Sequence, residues 1–202
     1  GKVIDANSSS VIIRESIEKV ENKIDYNFKN VDVISSQSDF KCINVSGFKK
    51  LNGSTLKNDD VSFILNNIKK TILENEVSNS LIHIFNTQFM LDKNIVDNIP
   101  LGLHGNLYAH QLTFFLMPSN DIKNIKLILS KSNIILDKVI LKNFVEGVEL
   151  MSNIDCQSFV KIKIMKEKSH ISYFKNSCLV YVENFDFGFD ILFRDVSKVC
   201  SL

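Results

Sequence analysis

Glycine and proline are scarce in this 202-residue sequence, at 7 and 2 residues, and tryptophan is absent. Few glycines means few positions where the backbone takes positive φ and approaches a ligand closely, so phosphate-cradling loops are not expected. No G-x-S-x-G, Walker-type or G-x-G-x-x-G pattern occurs. No apolar run approaches the roughly 20 residues that span a bilayer, and the first residues do not resemble a signal peptide. An excess of one charge is missing too. The 24 Lys+Arg stand against 23 Asp+Glu, a net of +1, and the charges are scattered. That argues against a nucleic-acid binder working through a basic face. Arginine is confined to Arg14 and Arg194, while Lys, Asn and Ile abound. This bias reads as A- and T-rich codon usage and carries no functional information.

The four cysteines, Cys42, Cys156, Cys178 and Cys200, are widely spaced with no C-x-x-C pair. A disulfide framework would be denser in so short a chain, so reduced thiols and a cytoplasmic location are expected. Asn44-Val45-Ser46 fits a glycosylation acceptor, but with no secretory signal it reads as a chance match.

What is present is enough apolar sequence for one large domain or two small ones. Val11, Ile12, Ser16, Ile17, Val20 and Ile24 recur at helical spacing behind possible caps at Asn7 to Ser10. Strands are expected at 31–34 and from Phe40 to the turn at Gly47. A second helix starts at Lys57-Asn58-Asp59-Asp60, with Val61, Ile64, Leu65, Ile68 and Ile72 as its stripe. Leu81–Phe85 reads as a strand, resumed by Phe89–Leu91 beyond a polar break. A glycine-bearing loop at 99–105 then leads into a long strand, 106–117. A helix follows Pro118-Ser119-Asn120-Asp121, then a strand at 134–141 and a short helix through Phe144 and Leu150. Three alternating strands, 158–164, 170–175 and 179–185, precede a closing turn and helix at 187–199. The order αββαββαβα then βββα is an α+β chain of two units meeting near 135–157.

Chemistry-bearing residues are few. His104 and His110 bracket a glycine turn, yet no third ligand lies at zinc spacing, and His83 and His170 stand apart. Cys156 and His170 make an imaginable nucleophile and base, without any local signature. Asp186-Phe187-Gly188 spells the kinase magnesium triplet but lacks every other kinase element. Gly102-x-x-Gly105 reads as a loop device. The αββαβ rhythm, with Phe187-Gly188-Phe189 and Phe193, faintly echoes an RNA-recognition module, although these residues fall in the closing turn and helix. No catalytic, cofactor-binding or metal-binding residue is therefore assigned.

The run Leu81-Ile82-His83-Ile84-Phe85-Asn86-Thr87-Gln88-Phe89-Met90-Leu91-Asp92, then Ile99-Pro100-Leu101-Gly102-Leu103-His104-Gly105 and Leu112–Leu116, resembles the bacterial cell-division family FtsA, of the actin-like ATPase superfamily. Val45-Ser46-Gly47, the helix at 56–72 and the segment 120–141 extend the resemblance over almost the whole chain. It implies a division of the chain into 1–135 and 136–202. The first part resembles the inserted (1C) interaction subdomain, a strand-helix-strand-strand sheet with helices on one side. The second resembles a partial actin-like lobe, a hairpin with a strand and a helix. Lys163 to Ile171 takes the place of the family's phosphate hairpin, and Asp195-Val196 falls where the family has Asp-Ile. Every hairpin glycine is replaced, by residues such as Met165, Lys166 and Glu167. Lys163 stands for the leading Asp, and His170 for the terminal one.

Such a loop cannot cradle phosphate or organise magnesium, so no ATP binding, no cofactor and no enzymatic activity are expected. The resemblance implies a divisome protein acting through protein–protein contacts in septum assembly. Its expected partners are other divisome proteins and a second copy of itself as a homodimer, with no nucleic acid. It would lie at the inner face of the cell membrane at the division site, reaching the membrane only through a helix outside this sequence. The strands at 81–91 and 106–117 are the expected interface, by strand addition. An RNA-binding module and a residual nucleotide-binding ATPase are the alternatives. Gly1 and the span covered suggest the middle of a larger protein.

Overall fold

The computed structural model describes residues 5–200. Its order is α1 (Ala6–Ile24), β1 (Asn30–Ser35), β2 (Lys41–Lys50), α2 (Asn58–Asn75), β3 (Asn79–Leu91), β4 (Asn94–Val96) and β5 (Leu107–Pro118). There follow α3 (Ser119–Ser130), β6 (Ile135–Leu141), α4 (Lys142–Ile154), β7 (Phe159–Ile164), β8 (Ser169–Lys175), β9 (Cys178–Phe185) and α5 (Asp190–Cys200). The class is mixed α+β, as expected. Three sheets are formed: β1 with β6, a four-stranded sheet in the order β2-β5-β3-β4, and β7-β8-β9. Among the described residues, no helix is long and apolar enough to cross a membrane.

The chain forms two compact units that interleave along the sequence. One runs through Ile43 and takes in Leu65–Ile84 and Phe114–Val145; the other holds Asn44–Ile64, Phe85–Thr113 and Glu146 onward. The cut is thus drawn differently from one at 135/136.

In the first unit, the Asp5 carboxylate accepts from the Asn7 and Ser8 N–H groups and starts α1, as an N-cap should. Asp25 ends the helix in the left-handed region, its N–H reaching the Glu21 carbonyl. The inward face of α1 is Ser10, Ile13, Ile17 and Glu21, while Val11, Ile12, Val20 and Ile24 are exposed. Of the expected stripe only Ile17 faces inward; the rest lies on the open side. Polar bonds set the rotation: Lys131 Nζ donates to Asn7 Oδ1 and Ser132 Oγ to the Ser10 carbonyl. β1 and β6 pair in parallel from Asn30↔Ile135 to Ser35↔Leu141, with α3 packed on α1 and on β6. Phe114 to Met117, at the end of β5, are wholly buried there.

In the second unit, β3 runs unbroken where a polar break was expected. Each polar side chain of Asn86-Thr87-Gln88 has a dedicated partner: His110 Nε2 on Asn86, the Gln111 carbonyl for Thr87, and Lys175 on Gln88. β4 was not foreseen. Its turn, Asp92 and Lys93, puts both residues at positive φ, the twist a two-residue hairpin needs. Asp92 then accepts from the Asn106 and Leu107 N–H groups at 2.7 and 2.8 Å. β7, β8 and β9 are antiparallel throughout. The Phe174 ring, buried beside α4, stacks on Phe159 at 4.9 Å and occupies the space where Gly147 lacks a side chain.

Candidate functional site

The sequence-flagged residues do not converge. His104 Nδ1 bonds the Gly53 carbonyl at 2.8 Å, whereas His110 is buried and bonds Asn86 at 3.0 Å. Cys156 donates to the Ser158 carbonyl before β7 begins, while His170 pairs with Asn184 at the other end of the β7–β8 ladder. Phe187, Phe189 and Phe193 lie before and within α5, not on a strand. Among the described residues, no group of three His, Cys, Asp or Glu side chains gathers as a metal site.

The hairpin at the expected phosphate position has the opposite backbone polarity to a cradle. Residues 165–168 turn between Ile164↔Ser169, closed by the Met165 N–H on the Lys168 carbonyl at 2.9 Å. A phosphate nest aims N–H groups at its anion. Here the Met165 and Lys166 carbonyls accept from the Phe189 and Asp190 N–H groups at 3.1 and 2.9 Å. The start of α5, otherwise a ready anion site with orphan donors, is thereby spent on the turn. Gly188 allows the approach: a Cβ there would overlap the Lys166 carbonyl. Asp186, in the kinase-like triplet, pairs with Lys168 at 3.6 Å. The triplet is a connector that docks a helix on a turn. We expect millimolar Mg-ATP to leave the melting temperature of this chain unchanged; a specific upward shift, absent with AMP, contradicts this reading of the turn.

Behind the hairpin, Glu146 of α4 holds both Lys161, at 2.7 Å, and Lys163. Burial pushes the Glu146 carboxyl up, but the hydrogen bonds from the two lysines outweigh it and leave the group below its ordinary value. Lys163 is thus committed to the Glu146 carboxylate instead of a phosphate.

A more open feature lies in the first unit. β3 pairs with β4 only through Phe89–Leu91, so among the described residues Ser80–Ile82 has no strand on that side. β6 likewise has, among the described residues, a strand on one side only, β1. Between them is a cleft of about 330 Å3, lined by Ser80–His83, Ile122, Lys126 and Leu136–Ile140. The half of the expected interface on β3 is thus accessible. The half on 106–117 is not, because β5 is an interior strand with a neighbour on each side.

His83 closes one end of the cleft. Its Nε2 accepts the Leu141 N–H at 3.1 Å, and its ring lies against Phe144. Burial holds its pKa below the usual 6.5, and accepting an N–H requires the neutral ring. His110, also buried, is shifted the same way. A depressed histidine contributes stability that is complete above the unfolded value and is lost as pH falls through the folded value. Urea stability should therefore decline below about pH 6.5. His83→Leu should flatten part of that slope and cost about 1–3 kcal/mol at pH 8 by orphaning the Leu141 N–H. An unchanged slope in that variant contradicts the assignment.

No protein-family model matches the chain, and no curated protein matches it in sequence. Solved structures do. Over its full length it superposes on 55% of a chain in a "PilM-PilN type IV pilus biogenesis complex", with a TM-score of 0.59 at 9% identity. It also matches a Bacteroides thetaiotaomicron protein described as having an actin-like ATPase fold and unknown function, at 10% identity. That match covers 93% of this chain and 62% of the other, and its TM-score of 0.34 carries no weight. The chain spans about half the length of the pilus protein it resembles. What the likeness shows is a fold shared with the pilus-complex chain; neither neighbour is described as a division protein.

Proposed function

We propose that this chain is a protein–protein interaction module of the FtsA type, acting in divisome assembly at the cytoplasmic face of the membrane, without catalysis. The observation that carries the reading is the cleft between β3 and β6, where two strands each lack a neighbour among the described residues. An extended tail of another protein can enter as an added strand, gaining main-chain hydrogen bonds along Ser80–Ile82. The carbonyl-presenting turn at 165–168 supports a role that does not run on nucleotide hydrolysis. A fluorescent fusion of the chain should gather at mid-cell in dividing cells, and Leu136→Asp, on the cleft wall, should disperse it without unfolding it. Diffuse fluorescence of the unaltered fusion sinks the divisome reading.

A second reading is favoured by the fold likeness to the pilus biogenesis complex: an assembly module for a type IV pilus. Deleting the gene separates the two. Filaments of undivided cells support the first, whereas normal division with loss of surface pili selects the second.

A further inference from the structure

Asn52-Gly53 is the only asparagine–glycine step in the sequence, and in the second unit it forms the exposed corner of a turn. The Ser54 N–H donates to the Leu51 carbonyl at 3.0 Å, with φ at +50° for Asn52 and +84° for Gly53. Two successive positive φ values under such a bond make a type I′ turn. Asparagine tolerates the first corner, and glycine takes the second without steric cost. The same dipeptide is chemically vulnerable. Glycine carries no side chain to shield its nitrogen, so that nitrogen can reach the carboxamide of the asparagine before it.

In the folded chain that reaction is held shut. At the first corner of a type I′ turn ψ is about +30°, which sets the Gly53 nitrogen nearly opposite the Asn52 Cβ across the Cα–C bond. Closing a ring onto Cγ requires the two to be eclipsed instead. The loop at 102–106 opposes that rotation. It takes the Gly53 N–H on the Gly105 carbonyl at 2.9 Å, and His104 Nδ1 donates to the Gly53 carbonyl at 2.8 Å. Leu51 and Asn52 both donate to the Asn106 carbonyl, Gly105 to Ser54, and Leu56 to Leu103. Leu51 and Leu56, both buried, anchor the two ends of this clasp.

We propose that Asn52 is a site of spontaneous deamidation gated by the 102–106 loop, shut while the clasp is intact and reactive whenever the loop lifts. The Gly53 nitrogen attacks the Asn52 Cγ and the N–Cγ bond forms. The Cγ–Nδ2 bond breaks, and ammonia leaves with the former Gly53 amide proton. Solvent water then opens the five-membered imide. Cleavage of N–Cγ gives aspartate. Cleavage of the bond to the original main-chain carbonyl leaves an isoaspartyl link, in which the backbone runs through Cβ and Cγ and is one carbon longer. Nothing is oxidised or reduced, and water is the only co-reactant. The longer backbone cannot refit the type I′ turn, so the isoaspartyl product keeps the loop open and records that it once lifted.

Prolonged incubation at mildly alkaline pH, followed by peptide mapping in a mass spectrometer and isoaspartyl methyltransferase labelling, reads the site directly. In the chain unfolded by guanidinium chloride, Asn52 should convert before any other asparagine, and about tenfold or more faster than in the folded chain. His104→Ala, at an exposed position, should speed conversion of the folded chain about fivefold, the worth of one hydrogen bond, with its melting temperature nearly unchanged. Low urea, below the unfolding transition, should act in the same direction by local opening. Amide exchange at 103–106 should be fast in the isoaspartyl chain yet remain slow in Asn52→Asp, which adds the charge without the extra backbone carbon. Conversion of another asparagine first in the unfolded chain overturns the site. Equal rates folded and unfolded, or a parental rate in both His104→Ala and low urea, overturn the gate. Protected exchange at 103–106 in the isoaspartyl chain overturns the lasting opening.

Discussion

Replacing Gly147 with valine is expected to destabilise the protein by about 3 kcal/mol, lowering its melting temperature by about 6–12 °C. Gly147 is buried in α4, and a Cβ built there would run into the Phe174 ring. That ring has no exposed surface and stacks on Phe159 at an interplanar angle of 13°, so it has nowhere to retreat. Glycine inside a helix costs about 1 kcal/mol relative to alanine. The close approach of helix and sheet offsets that cost. Trimming the ring should restore tolerance: Gly147→Val with Phe174→Leu should be less destabilised than the two single changes added together. Urea midpoints at constant slope measure all three variants. A cost below about 1 kcal/mol for Gly147→Val would show that the ring is not held as described.

Gly188→Val should act more locally and nearly as strongly. Here the obstacle is main chain, the Lys166 and Met165 carbonyls, which cannot rotate aside as a side chain does. Valine would push the connector off the turn and break the Phe189 and Asp190 hydrogen bonds. Losing two such bonds costs about 2 kcal/mol, roughly a 30-fold faster amide exchange at those positions if local opening governs it. Exchange in β1 and β6 should stay as in the parent chain. Uniform acceleration everywhere would mean that α5 docking is part of global stability instead.

Much of the architecture was readable because it rests on local pattern. Asp59 and Asp60 do open α2, and the alternation in 158–185 does give three strands. What escaped depends on partners far away in sequence. The polar run Asn86-Thr87-Gln88 reads as a break until His110, Gln111 and Lys175 are brought beside it. Asp92-Lys93 lacks the glycine that advertises a two-residue hairpin, and Asp92 earns its place through Asn106 and Leu107. α1 offers two apolar rows, and only contacts with the end of α3 choose between them.

The candidate sites divide the same way. The position of the hairpin turn, and its loss of glycine, could be read from Lys163 to Ile171. Its reversed backbone polarity could not, because that depends on a glycine some twenty residues further along. The interface expected on β3 and β5 was half accessible for a related reason: periodicity identifies strands but not which of them ends up inside a sheet.

That interior position bears on how the chain folds. β2 and β3 are consecutive strands, yet β5 lies between them in the finished sheet. During synthesis both emerge before β5 exists, and a β2–β3 pairing across the α2 connection is open to them until it does. Such a pairing would have to open again before Leu107–Pro118 could insert. The topology therefore builds in a kinetic trap and a high proportion of long-range pairings, and refolding should be slow for a chain of this length. Conditions that keep β2 and β3 apart until β5 arrives, such as low concentrations of urea, should speed the approach to the native sheet.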